Sequence, residues 1–382
     1  MKNFIFQNPT KIIFGKGTIA QLANELPVDK KIMLTFGGGS VKKNGVYSQV
    51  VEALKNHTFI EFWGIEPNPK VGTLRKAVEL GKKEKVDFIL AVGGGSVLDG
   101  TKLIASAIPY DGDAWDLVLN DSLIKDIVPF GDVITLPATG SEMNVNAVVS
   151  NDDTNEKYGI ATTYPRFSIL DPETTFSLPP YQVACGIADT FVHVMEQYLV
   201  DQNDSPLMNR WAEGILQTLI EIAPKVQQNQ HDYEQMSNFM FSATMALNGF
   251  ISMGAASSDW ATHMIGHEIT ALTGLTHGET LAVVEPALMQ VMKAEKRKKL
   301  LQYAERVWNI KENDEDKKIA LAVEKTEGFY RSLSLKTRLS EHNIGNDVRE
   351  TIVTRFRERG TRLGENRSIT ADTVKAILEL CK

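Results

Sequence analysis

The sequence predicts an α/β domain with a mostly parallel sheet, followed by an all-α helical domain. Three observations point there. Over the first 180 residues, short apolar runs bounded by glycines alternate with segments of helical spacing, the pattern of strands and covering helices in a parallel sheet. The triplet Leu178-Pro179-Pro180 ends that alternation. From Tyr181 to about Phe250 the periodicity is helical, with few glycines, and helical texture continues with interruptions to Lys382. The expected domains are 1–180 and 181–382, and 382 residues are enough for two.

In chain order, 31–36 and 87–92 read as buried strands, and 132–136 (DVITL) as a third. The segments 46–56, 73–84 and 97–107 carry helical spacing. Segment 145–180 mixes turn residues with strand-length runs. No low-complexity linker separates the two halves, so closely packed domains are expected. The doubled Gly-Gly-Gly-Ser, at 37–40 and 93–96, is not a solenoid repeat, because its flanks do not match at a fixed period.

The composition, 43% hydrophobic and 23% charged, is that of a globular chain. A formal net charge of -7 argues against a nucleic-acid partner and leaves no basic stripe for a membrane surface. The N-terminal stretch MKNFIFQNPTKIIFG lacks the apolar core of a signal peptide, and no run of about 18 apolar residues could span a bilayer. Two cysteines, Cys185 and Cys381, do not make a disulfide framework. The expected location is the cytoplasm.

Each Gly-Gly-Gly-Ser follows a strand. At Gly93, Gly94, Gly95 and Ser96 a glycine turn lets backbone N–H groups approach an anion, and the following helix N-terminus favours negative charge. Ser96 is also a good N-cap. A pyrophosphate cradle and a plain tight turn both fit, and the standard GxGxxG fingerprint is absent. At Gly37, Gly38, Gly39 and Ser40 there is no Asp or Glu, and Lys42 and Lys43 follow. An acid at such a strand end bonds the ribose 2′-hydroxyl of NAD. A loop without one, if it meets the ribose, favours NADP; a solvated surface loop is the alternative.

Five of the seven histidines fall between 193 and 277. Asp189 and His193 are four apart in a helical pattern and share a face, as do His263 and His267; His277 follows. One carboxylate with neutral imidazoles suits Fe²⁺ or Zn²⁺. HExxH is absent, which removes a zincin-type protease. Spacing alone does not say which of His263, His267 and His277 are ligands. Trp260, Phe250 and Met253 fit core packing as well as an apolar pocket.

AVGGGSVLD at 91–99, TLPATGSE at 135–142, and GIADTFVHVMEQY through HMIGHE to HG at 186–278 together resemble the metal-dependent, iron-containing (group III) alcohol dehydrogenases. NPTKIIFGKG at 8–17, IEPNP at 65–69 and QYAERVWNI at 302–310 are similar to the branch of bacterial NADP-dependent aldehyde reductases and butanol dehydrogenases. The likeness covers nearly the whole chain. It implies the dehydroquinate synthase-like fold, with a dinucleotide-binding N-terminal domain, a helical C-terminal domain and the cofactor in the cleft between them. It implies Asp189, His193, His263 and His277 as metal ligands, and His267 as a catalytic residue outside the ligand set, relaying a proton. It places Gly37, Gly38, Gly39 and Ser40 at the adenosine ribose and Gly93, Gly94, Gly95, Ser96 and Val97 at the pyrophosphate. Asn68, Asp99, Thr135, Thr139, Ser141 and Lys157 match positions that line the cofactor cleft.

The resemblance therefore implies hydride transfer between NADP(H) and a short-chain primary alcohol or aldehyde, one Fe²⁺ or Zn²⁺, and a homodimer formed through the region Phe4–Phe14. The alternatives are an NAD(H)-preferring alcohol or polyol dehydrogenase of the same family and a dehydroquinate synthase-like lyase. The lyase would need Arg and Lys clustered beside the metal, and between 181 and 281 only Arg210 and Lys225 occur.

Overall fold

The computed structural model describes residues 1–200, 205–255 and 257–382. The chain forms two compact units. The α/β unit comprises Gln7–Pro179 and His231–Thr244; the helical unit comprises Met1–Phe6, Pro180–Gln230 and Met245–Lys382. Where the sequence suggests a single cut at 180, each unit is thus assembled from more than one segment.

The α/β unit is built on strands β1 (Lys11–Phe14), β2 (Lys31–Phe36), β3 (Thr58–Phe62), β4 (Phe88–Gly94), β5 (Phe130–Leu136) and β8 (Phe167–Leu170), in the order β1-β8-β5-β4-β2-β3. Every pairing in this sheet is parallel. A separate antiparallel pair, β6 (Asn146–Asn151) and β7 (Glu156–Ala161), occupies the turn-rich segment. The apolar runs of β2 and β4 are continuous because both sheet faces are covered. Ile32, Leu34, Phe36, Leu90 and Val92 enter one core with Val46 and Val50. The alternating residues Met33, Ile89 and Ala91 enter the other with Leu74, Leu98 and Leu103.

This topology has a switch point between β2 and β4. The chain leaves β2 toward the edge strand β3, and leaves β4 toward β5 on the other side. Open α/β sheets take their ligands at the carboxyl ends of strands at such a point. The first glycine stretch follows β2 directly, whereas Gly93 and Gly94 are the last residues of β4 and Gly95 opens the next helix. Phe36 lies opposite Val92 in register.

The α/β unit also holds a buried polar network. Lys102 donates to Ser141 Oγ (2.7 Å), Asn144 Oδ1 (3.1 Å) and the Asn146 carbonyl (2.7 Å). Burial lowers its ammonium to about 8 despite nearby Asp99, Asp132 and Glu142. Asp132 is fully buried; its Oδ2 accepts from Ser168 Oγ at 2.7 Å and its Oδ1 has no hydrogen-bond partner. Burial therefore raises the Asp132 carboxyl well above the carboxylate range. A folded pKa above the unfolded value means stability present below about pH 4 and lost as pH rises through the folded value. Asp132→Asn, neutral at every pH, should melt at the same or a higher temperature than the parent at alkaline pH. It should also flatten the fall in Tm between acid and alkaline buffers, which a melting series across pH checks.

In the helical unit, helix Pro180–Tyr198 is buried along its length from Val183 onward. Its apolar residues face all directions, as in a central helix. Helices Ala261–Thr273 and His277–Val291 belong to the same unit and pack as neighbours. Cys185 and Cys381 are buried free thiols. Among the described residues no helix is long and apolar enough to cross a membrane.

Candidate metal centre and dinucleotide loops

Helix Pro180–Tyr198 carries Asp189 and His193, and Glu196 a further three residues on. The spacing i, i+4, i+7 puts all three on one stripe. Helix Ala261–Thr273 contributes His263 and His267, and His277 is the first residue of helix His277–Val291. Gly278 allows that helix to start so close: a Cβ there would lie 2.3 Å from the Cys185 carbonyl oxygen. Gly278→Ala must therefore push the two helices apart. We expect it to cost at least about 1–3 kcal/mol and to loosen whatever His277 helps to hold, as denaturant melts and metal analysis would show.

The three helices focus their side chains on one point. Asp189 Oδ1 lies 3.5 Å from His263 Nε2, 3.6 Å from His193 Nε2 and 3.8 Å from His277 Nε2. Asp189, His263 and His277 each offer a donor atom within 4.8 Å of the others, the one such group of three among the described residues. Donors about 2.0–2.2 Å from a tetrahedral ion stand about 3.3–3.6 Å apart, so the spacing fits a shared divalent cation. His263 Nε2 is buried and has no hydrogen-bond partner. Burial pushes the His263 imidazole down, but the carboxylates of Glu196 and Asp189 outweigh it and raise it to about 10. Such surroundings call for positive charge. The residues present thus fit a divalent ion with one oxygen and three nitrogen donors.

His267, buried beside this set, has its ring 5.1 Å from that of His277 and 6.3 Å from that of His263. The Trp260 ring packs T-shaped with those of His263, at 5.5 Å, and His193, at 6.3 Å. Its backbone is left-handed, φ 59°, which is rare for a bulky residue and clusters at functional sites. Phe250 instead stacks on Trp211 at 4.1 Å. The other histidines lie apart: His57 contacts the Leu26 carbonyl, His231 stacks on Phe176, and His342 faces Glu279.

In the α/β unit, Gly37, Gly38 and Gly39 follow β2, and Ser40 opens the short helix Ser40–Lys43. Gly39 adopts φ 99°, a conformation that favours glycine. A Cβ on Gly38 or Gly39 would meet nothing within 4 Å, so this loop is open to a ligand. Lys42 packs its ammonium over the Trp63 ring at 4.0 Å, and Lys43 is exposed. The second loop is tight: a Cβ on Gly95 would stand 2.6 Å from Thr139 Oγ1.

The expectation that Ser96 caps the helix after β4 is corrected. Helix Gly95–Ala107 begins earlier, with Gly94 at the N-cap position and no side-chain cap. A Cβ at Gly93, Gly94 or Gly95 would meet Val97, Leu136 or Thr139 at 3.0 Å or less. Ser96 Oγ instead accepts the Asn68 N–H at 3.3 Å, and Asn68 Oδ1 accepts Lys157 Nζ at 2.8 Å. Ser96, Asn68 and Lys157 thus form one group. Asp99 is spent inside the fold, accepting from Ser141 Oγ at 2.8 Å and the Val148 N–H at 2.9 Å. Ser141 N–H donates to Thr139 Oγ1 at 3.2 Å. Val97 and Thr135 are buried close by, on the helix and on β5.

A parallel α/β unit with glycine turns at its switch point, and a helical unit with an Asp/His cluster, fit the class of metal-dependent dehydrogenases. Residues 9–172 match the family model for iron-containing alcohol dehydrogenase, and residues 183–381 match the C-terminal model of the same family. The chain is 48% identical to the NADPH-dependent aldehyde reductase YqhD of Escherichia coli K12, over all of both chains. It is 42% identical to a probable NADH-dependent butanol dehydrogenase of Bacillus subtilis, over 99% of each. The crystal structure of E. coli YqhD superposes with a TM-score of 0.97, covering 100% of this chain and 99% of that one. An NADH-dependent butanol dehydrogenase A from Thermotoga maritima, 36% identical, gives 0.95 over 100% and 99%. The chain belongs to the iron-containing alcohol dehydrogenase family. It is an oxidoreductase of alcohols and aldehydes.

Proposed function

We propose that this protein interconverts short-chain aldehydes and primary alcohols with NADP(H) in preference to NAD(H), at an Fe²⁺ or Zn²⁺ held by Asp189, His193, His263 and His277. The observation that carries this reading is the convergence of three imidazole Nε2 atoms on one carboxylate oxygen. When bound, the ion supplies Lewis acidity toward the substrate oxygen, and the nicotinamide supplies or accepts the hydride. The Asp189 carboxylate offsets part of the ion's charge while the three imidazoles leave a net positive centre. His267 moves the proton at a ring nitrogen. His267→Ala should keep the metal and lose turnover, with metal analysis and kcat as the paired readouts.

The loop Gly37–Ser40 faces the adenosine ribose, and the lack of an acid there supports the 2′-phosphate of NADP(H). Gly93, Gly94, Gly95, Ser96 and Val97 hold the pyrophosphate, with Asn68 and Lys157 alongside. Thr135, Thr139, Ser141 and Asp99 shape the adjoining turn. Relatives named for NADPH and for NADH both resemble this chain, so the loop is the deciding feature. Butanal reduction with each cofactor tests it: NADPH should give the higher kcat/KM. Gly38→Asp, which strains nothing because Gly38 has open space, should cut NADPH use roughly tenfold or more by charge repulsion and spare NADH. Equal use of both cofactors by the parent would leave the enzyme class and remove the 2′-phosphate reading.

A cytoplasmic homodimer completes the proposal. Ile5 is 99% exposed, with Phe4 and Phe6 exposed beside it, and β1 is an edge strand with one open side. A second copy would cover the exposed residues of the one unit or the open strand edge of the other. Light scattering that returns a monomer's mass would refute the dimer.

A further inference from the structure

Glu196 has no assigned part in this site, yet it ties the metal-centre helices together through three bonds. Its carbonyl accepts the Asp259 N–H at 2.9 Å. Its Oε1 accepts the His263 N–H at 3.2 Å, and its Oε2 meets His263 Nδ1 in a short contact. The carboxylate is buried, 3% exposed. We propose that Glu196 is a positioning residue that holds His263 in the tautomer presenting Nε2 to the metal, and so sets how tightly the ion is retained. The proposal rests on the Asp/His reading of the metal centre.

The chemistry follows from the donor inventory. An ionised carboxylate only accepts, so the His263 ring must donate from Nδ1. A metal displaces the second proton, and the neutral imidazole that ligates it then has one N–H, which leaves the lone pair on Nε2. That atom is the one that faces Asp189 Oδ1 at 3.5 Å and has no hydrogen bond. Because Glu196 also accepts from the His263 backbone, the ring and its main chain are held by one group, and χ rotation is restrained from both ends. The geometry is that of a carboxylate–histidine–metal arrangement, in which the outer carboxylate fixes ring orientation and raises ligand basicity. Glu196 lies seven residues after Asp189 on the same helix, so one helix supplies two ligands and the clamp for a third.

Glutamine at 196 keeps the shape but brings an NH₂ group. That group can donate to Nδ1 and so stabilise the wrong tautomer, with Nε2 protonated and unable to ligate. The test compares the metal-loaded parent, Glu196→Gln, Glu196→Asp and His263→Ala, each challenged with a graded chelator series while bound Zn²⁺ and melting temperature are followed. The parent should retain Zn²⁺ best. Glu196→Gln should release it at about 10–100-fold lower chelator strength, with the melting of its metal-free form near the parent's. Glu196→Asp, still an acceptor but one methylene short, should fall between them. Parent-like retention by Glu196→Gln with loss in His263→Ala overturns the role of Glu196 and leaves the metal site standing. Parent-like retention by His263→Ala overturns the metal assignment itself.

Should Glu196→Gln fail to fold, the parent still answers. Long-range ¹H–¹⁵N correlation on the Zn²⁺-loaded, histidine-labelled protein should show His263 protonated at Nδ1 and metal-bound at Nε2. The reverse pattern contradicts the proposal.

Discussion

Asp189→Asn is expected to empty the metal centre and lower kcat/KM by about three orders of magnitude. One oxygen of this carboxylate stands within 3.8 Å of three imidazole nitrogens, and the side chain is 5% exposed. Asparagine keeps the shape, so the helix should fold, but it removes the negative charge that offsets a divalent ion. Lewis-acid stabilisation is worth several kcal/mol, and each 1.36 kcal/mol is tenfold in rate. Bound metal, measured directly, should be lost together with activity. NADPH affinity should stay near the parent's value, because the glycine loops belong to the other unit. A variant that lost metal and kept full activity would show that the reaction runs elsewhere.

Lys296→Met is expected to be the most damaging single change to stability in the helical unit. Lys296 is 1% exposed and holds two buried carboxylates, Asp259 at 2.6 Å and Glu365 at 2.9 Å, and it also donates to the Leu199 carbonyl at 3.1 Å. Burial works against its charge, but the two acids outweigh that and raise its pKa. Removing one partner of a buried ion pair strands the others at about 3–5 kcal/mol. The melting temperature should drop by on the order of 10 °C. Adding Asp259→Asn to Lys296→Met should recover part of the loss, because the two sites are coupled. The consequence reaches the metal centre, since Asp259 precedes the left-handed Trp260 and its side chain accepts the Ala261 N–H at 3.0 Å.

The parallel sheet was legible because its strands are buried on both faces and so read as unbroken apolar runs. Strand 31–36 is as expected, while β4 and β5 run to Gly94 and from Phe130, beyond their apolar cores. Spacing was enough to pair Asp189 with His193 and His263 with His267. It could not separate ligands from neighbours, because His277 arrives from a third helix whose approach depends on Gly278 meeting a backbone carbonyl. Ser96 misled as a cap because the helix already starts at Gly95, and the Ser96 hydroxyl is taken by the Asn68 N–H, a contact from a distant segment. Glu196 sits on the same helical stripe as Asp189 and His193. Its i+7 spacing from Asp189 is visible in the sequence, but its contact with His263 exists only once the helices pack. Asp99, matched to a cleft position by resemblance, accepts from Ser141 and Val148, partners that spacing in the sequence does not show.

The most direct test strips the protein with a chelator, confirms that it remains folded, and reloads it with Fe²⁺ or Zn²⁺ before measuring NADPH oxidation with butanal. The structure predicts negligible turnover in the stripped protein, recovery at one ion per chain, and no recovery in Asp189→Asn. Full activity without metal, or recovery that does not depend on Asp189, would contradict the account.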